Sequence, residues 1–211
     1  MRISTLMGTS ILLAFGAAAA HADETPAADP AVTAHAERLA IGTCGTCHGV
    51  RGVSQQPKYP RLAAQNPGYL AAQLRAFRGQ QRGDPDAIGY MWGMSASLED
   101  PTIDALAAYY AAQPAGTPLR SGDAAAVARG RDIYEKGVEA SGVPACSACH
   151  GPDAHGIADF PRLAGQHAQY VMKQLASFQN NMRNVAVMHG VATGLKTEEM
   201  GAVAAFIETL P

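Results

Sequence analysis

Apolar residues recur along this chain at helical spacing, and they do so in matched sets. Leu70, Leu74 and Phe77 stand at i, i+4 and i+7, and Val171, Leu175 and Phe178 repeat the spacing 101 residues later. Ile103, Leu106 and Tyr110 form a second set, answered by Met200, Val203 and Ile207 at a shift of 97. Each set lines one side of a helix and predicts a helix that turns this side towards a core. Asp100 and Thr197 read as N-caps of the last helix in each half, with Pro101 in the first helical position. Ala31 to Ala40 predicts a short first helix, and another is expected to begin near Asp123 and to carry Gly130 and Tyr134. The stretch from Gln113 to Pro118, with two prolines and a glycine, cannot continue a helix. Nothing reads as a strand-rich core. The pattern predicts an all-α chain of two tandem homologous domains, over 23–113 and 123–211, joined by a linker over 114–122.

Shorter repeats fall inside the same frame. Pro60-Arg61-Leu62-Ala63-Ala64-Gln65 has a twin in Pro161-Arg162-Leu163-Ala164-Gly165-Gln166, and each precedes a predicted helix. Upstream of each lies a five-residue motif, Cys44-Gly45-Thr46-Cys47-His48 and Cys146-Ser147-Ala148-Cys149-His150. These four cysteines are the only ones in the chain, so no thiol remains for a disulfide. C-x-x-C-H is the attachment signature of a c-type haem. One helical turn brings both sulfurs to one side for addition to the porphyrin vinyl groups, and the histidine follows as proximal iron ligand. Zinc and dithiol redox sites also use C-x-x-C pairs, and two pairs are enough for a four-cysteine zinc site. A histidine directly after each pair, and the lack of a βαβ pattern, favour two covalent haems.

Composition gives this reading a structural reason. Aromatic residues make up 6% of the chain and charged residues 16%. Two halves of about 90 residues each, so poor in aromatics, have thin cores, which a haem in each would thicken. The formal net charge of −2 offers no basic patch for nucleic acid.

Residues 1–22 read as a targeting segment. Arg2 supplies a positive start, Ile3 to Ala20 is mostly apolar, and Ala20-His21-Ala22 has the form of a cleavage site before Asp23. A retained membrane anchor is the other reading, although the apolar run is short for a span. Cleavage leaves 15 basic against 18 acidic residues, a formal −3. Export suits the motif, because c-type haem is attached outside the cytoplasm in bacteria. Asp23 to Asp29 then forms a leader, and Gly49 to Lys58 a polar loop after the first motif.

An iron held by one histidine needs a sixth ligand or an open site. Met91 and Met94 are expected in a glycine-rich loop before the last helix of the first half, and Met182 and Met188 are the candidates in the second. At the shift of 97, Met91 falls on Met188, whereas Met94 falls on Val191 and Met182 on Pro85. Met91 and Met188 are therefore the expected sixth ligands. His189 competes with Met188, but its counterpart is Trp92. His35, His155 and His167 have no histidine counterpart and are expected on the surface or in loops.

With its tandem C-x-x-C-H domains, paired P-R-L-A-x-Q segments and late methionines, the chain resembles the dihaem cytochrome c4 family over essentially its whole mature length. The second half matches more closely, through Val143 to Cys146, Gly151-Pro152 and Pro161 to Gln166. The resemblance implies two class I cytochrome c folds packed as a pseudo-symmetric pair. It implies one-electron transfer in the periplasm, often loosely associated with the membrane, from a quinol-oxidising complex or dehydrogenase towards a terminal oxidase. It carries His/Met ligation onto His48 with Met91 and His150 with Met188. It also makes the carbonyls of Pro60 and Pro161 acceptors for the proximal histidines, and leaves Arg61 and Arg162 as propionate contacts or exposed residues. One departure stands out. Class I domains cross a glycine and an aromatic of the first helix against the last, and Ala34 to Ala40 offers neither. Closed irons exclude small-molecule chemistry and argue against a peroxidase or a thiosulfate-oxidising enzyme. The alternative role is the cytochrome subunit of a dehydrogenase such as flavocytochrome sulfide dehydrogenase.

Overall fold

The computed structural model describes residues 29–120 and 123–211. The expected cleavage site before Asp23, and nearly all of the leader, lie outside the described residues. Among the described residues ten α-helices alternate with loops: α1 (Pro30–Leu39), α2 (Gly45–His48), α3 (Pro67–Arg78), α4 (Trp92–Ser95), α5 (Asp100–Ala111), α6 (Ala124–Lys136), α7 (Ser147–His150), α8 (Ala168–Gln179), α9 (Ala186–Thr193) and α10 (Thr197–Glu208). Wider helical turns over Ala40–Cys44 and Ala87–Met91 lead into α2 and α4. Among the described residues strand pairing is limited to isolated bridges, Arg82 with Arg183 and Val138 with Val143. The architecture is all-α and duplicated. In the first half α1 and α3 pack on α5, and in the second α6 and α8 pack on α10.

The anticipated helix faces do form the cores. Leu70, Ile103, Leu106 and Tyr110 are buried in the first half, as are Val171, Leu175, Met200, Val203 and Ile207 in the second. The Asp123 carboxylate accepts from the Ala125 and Ala126 amides and starts α6, as expected. The caps of α5 and α10 depart from expectation by one residue: Glu99 and Lys196 are the capping positions. Asp100 instead pairs with Arg75 at 3.2 Å and Arg78 at 2.7 Å. At α10 the Glu199 carboxylate, in the first turn, accepts from the Lys196 amide at 2.9 Å and so satisfies the N–H of the capping residue itself.

The missing glycine of the first half is replaced by alanine. Ala36 and Ala40 of the first helical run are buried against Ile103, Leu106, Ala107 and Tyr110. The Tyr110 hydroxyl donates to the Ala40 carbonyl at 3.2 Å. In the second half the approach is closer still, since a Cβ built on Gly130 stands 1.9 Å from the Ala202 carbonyl oxygen. Tyr134 is fully buried there, 5.5 Å from the Phe206 ring, and donates to Gly151 O at 2.6 Å. The aromatic anchor thus comes from the last helix in one half and the first helix in the other.

The two halves meet through polar contacts in which the repeat-related Arg82 and Arg183 share partners. The Gly83 amide donates to Met182 O at 2.7 Å. Arg82 and Arg183, both 5% exposed, share Gln174 Oε1 at 2.8 Å and Gln73 Oε1 at 2.9 Å. Asp84 grips Arg82 through both oxygens, at 2.9 and 3.1 Å. Arg183 also donates to Tyr69 Oη at 2.7 Å, while its Nε has no partner among the described residues. Lys173 pairs with Asp86 beside this cluster.

Candidate haem-binding sites

Each C-x-x-C-H motif ends a short helix. Gly49 at φ 78° and Gly151 at φ 84° stop these helices, a backbone that residues with a Cβ rarely adopt. The turn leaves His48 and His150 buried. His48 Nδ1–H donates to Pro60 O and His150 Nδ1–H to Pro161 O, each at 2.9 Å. A histidine so tied keeps Nε2 as its free ligand nitrogen, with ring orientation fixed by the carbonyl. An aromatic edge steadies each ring: Tyr59 at 6.2 Å from His48 and Phe160 at 6.0 Å from His150. Burial lowers the pKa of both imidazoles, outweighing the proline carbonyls that raise it, and keeps them in the neutral form that binds metal.

All four cysteines are half-buried and unpaired. Cys44 packs against the first core and Cys146 against the second, so the two pairs do not converge on one four-cysteine zinc site. Burial raises the Cys44 thiol, and pushes that of Cys146 up to about 11. A buried neutral imidazole with one free nitrogen, two thiols on the same turn and an apolar wall suit a covalent haem in each half.

The segment holding Met91 is helical, which corrects the glycine-rich loop expected there. Met91 ends the wide turn before α4, and Met188 lies within α9. Gly89, Gly93 and Gly190 have open space around them, so they do not force a loop, and their helix-tolerant neighbours prevail. Both methionines are half-buried, and Met188 packs against the second core. Met94 is 57% exposed and Met182 37% exposed. Tyr59, already against His48, packs 6.3 Å from Tyr90, the neighbour of Met91. His189 is tied by its ring, which donates from Nδ1 to Phe178 O at 2.8 Å. Its counterpart Trp92 likewise donates from Nε1 to Arg82 O at 2.9 Å.

The exposed alternative for Arg61 falls, and so does the surface placement of His167. Arg61 is buried, not exposed, and donates to Thr117 O at 2.8 Å and Gly165 O at 3.2 Å. His167 is 2% exposed rather than superficial, with Nε2–H on Ser54 O at 3.0 Å. In both cases the partner half covers a position that is a loop within its own half. Arg162 is half-buried and donates to Pro211 O, and His35 and His155 lie on the surface as expected. Gln65, Gln166, Arg82 and Arg183 carry contacts between the halves, and of these the twin P-R-L-A-x-Q segments mark only the glutamines.

A cytochrome c family model matches residues 127–211. Over 197 residues the chain is 35% identical to cytochrome c4 of Stutzerimonas stutzeri, covering 88% of this chain and 93% of that relative. It is 36% identical over 175 residues to a thiosulfate dehydrogenase electron acceptor of Thiomonas intermedia, covering 80% of this chain and 79% of that protein. The solved structure of Acidithiobacillus ferrooxidans cytochrome c4 superposes with a TM-score of 0.75 at 37% identity, covering 79% of this chain and 98% of that one.

Proposed function

Because this chain belongs to the dihaem cytochrome c4 family, an electron-transfer family with covalently bound c-type haems, we propose that it carries single electrons in the periplasm from a quinol-oxidising complex or dehydrogenase towards a terminal oxidase. Cys44 and Cys47 hold one haem and Cys146 and Cys149 the other. His48 with Met91, and His150 with Met188, would ligate the iron of each. The domains span 23–113 and 123–211, after a signal peptide cleaved at Ala22 and around a linker over 114–122.

The observation that carries the reading is the matched pair of buried histidines, each with Nδ1 committed to a proline carbonyl at 2.9 Å. Bound haem supplies reversible one-electron exchange between ferrous and ferric iron. The chain's part is to fix the histidine rings and keep water from the ligand nitrogens. It also presents methionine sulfur from a helical segment clipped by Trp92 or His189. Among the described residues no helix is long and apolar enough to cross a membrane.

The ligand assignment is tested by Met91→Ala and Met188→Ala. Each is expected to remove half of the sulfur-to-iron charge-transfer absorption of the oxidised protein and to open one iron to carbon monoxide. Met94→Ala and Met182→Ala are expected to leave the band intact, and loss of it in Met94→Ala would overturn the assignment. The carrier role predicts that isolated protein turns over neither peroxide nor thiosulfate nor sulfide; substantial turnover would contradict it. Similarity to a thiosulfate dehydrogenase electron acceptor favours a thiosulfate-oxidising dehydrogenase as donor. Stopped-flow reduction by such an enzyme, set against reduction by a quinol-oxidising complex, decides between the two donors.

A further inference from the structure

We propose that Gln65 and Gln166 are cross-domain positioning residues: each sets, through one peptide group, the hydrogen bond on the axial histidine of the opposite half, so that each haem's potential is tuned from the other domain. The proposal rests on the axial roles of His48 and His150 given above.

The contacts form a reciprocal set. The Arg61 amide donates to Gln166 Oε1 at 2.9 Å, and Gln166 Nε2 donates to Arg61 O at 3.0 Å. The Arg162 amide donates to Gln65 Oε1 at 2.8 Å, and Gln65 Nε2 donates to Arg162 O at 2.9 Å. Each arginine amide belongs to the same peptide group as a proline carbonyl. That carbonyl, Pro60 O or Pro161 O, is the one that accepts from His48 or His150. The three groups therefore lie in series, from histidine N–H through the peptide to the other domain's glutamine.

Chemistry gives this series a direction. A peptide group is one resonance unit, so an acceptor at its N–H draws electron density onto its oxygen. The oxygen then accepts more strongly, and linked hydrogen bonds reinforce each other by roughly 10–30% per bond. A stronger acceptor on Nδ1–H makes the imidazole a more basic ligand, which stabilises ferric iron. Water does not dilute the effect, because both glutamines are only 7% exposed. Nor can their amides turn over. Gln166 Oε1 also accepts from the His167 amide at 3.1 Å, and Gln65 Oε1 from the Asn66 amide at 2.9 Å. A flipped amide would set N–H against N–H at both places.

The test is redox titration of the holoprotein carrying Gln166→Met or Gln65→Met, which keep the side chain's length and remove its amide. The couples are assigned in a Met188→Ala background, where the couple that stays high belongs to the first half. Gln166→Met is expected to favour the ferrous form of the first-half haem about threefold, roughly 28 mV upward at 59 mV per decade for one electron. The second-half couple stays in place. Gln65→Met is expected to do the reverse. Gln→Asn, which keeps the amide but falls short of the partner, gives the same crossed pattern with packing changed in the opposite sense. A merely structural role would move both couples in either variant. Equal shifts, a shift confined to the substituted half, or no shift would overturn the proposal. Should Met188→Ala leave both couples unmoved, the methionine assignment has failed. The crossed pattern is then read from the Nδ1–H proton resonances of His48 and His150, with the same outcomes for and against.

Discussion

His167 shows how a single side chain can report on the contact between the halves. Its Nε2–H is committed to Ser54 O, while Nδ1 is buried without a hydrogen-bond partner among the described residues, 3.9 Å from Glu208 Oε1. Burial is the main cause that lowers its pKa. The Ser54 carbonyl and Glu208 act upward, and Arg61 acts downward. A folded pKa below the unfolded value means that the fold favours the neutral ring. That contribution is complete above the unfolded pKa of ~6.5 and is lost as pH falls through the folded value. The melting temperature is therefore expected to drop between about pH 7 and pH 5. His167→Gln, which keeps an N–H for Ser54, is expected to flatten that slope. Melts of both proteins at both pH values check this, and equal slopes would refute it. At this scale the sequence was readable wherever the chemistry is local, as in C-x-x-C-H and the proline that follows it. It was unreadable at Arg61 and His167, whose burial is created by residues about a hundred positions away.

Between helices, the two crossings differ in how much they tolerate. Gly130 lies against the Ala202 backbone, where a Cβ has no room. Gly130→Ala is expected to cost the second half about 1–3 kcal/mol or somewhat more, through overpacking against a rigid neighbour. Ala36→Gly, on the first half's roomier crossing, is expected to cost about 1 kcal/mol, from helix propensity. Urea denaturation of the two variants compares them, and a smaller loss for Gly130→Ala would contradict the packing argument. Periodicity made the long helices legible, because burial of one side is what the spacing encodes. Helix ends were off by one residue at Glu99 and Lys196, since capping depends on which acid reaches which amide. The segment around Met91 read as a loop because glycine lowers helix propensity, yet its apolar neighbours carry the helical turn on through it.

Across the whole molecule, two buried guanidiniums face each other with one buried carboxylate, Asp84, to balance them. Removing one partner of a buried pair leaves a charge without compensation. Asp84→Asn is therefore expected to destabilise the pairing of the halves by about 3–5 kcal/mol. Its signature is a single unfolding transition that splits into two, measured by calorimetry; an unchanged single transition would refute it. The duplication was plain in the sequence, but this charge cluster was not, because neither half contains it alone. Its reciprocal contacts have the form of a two-fold dimer interface carried within one chain. The charge is one-sided, however: at the shift of 101, the second half has Val185 where the first has Asp84. A recombination event that replaced the first copy with another of the second would bury two guanidiniums with no carboxylate between them. The opposite exchange would supply a carboxylate to each. The two copies are therefore not interchangeable: the charge balance of both buried guanidiniums hangs on an acid that the first copy alone supplies.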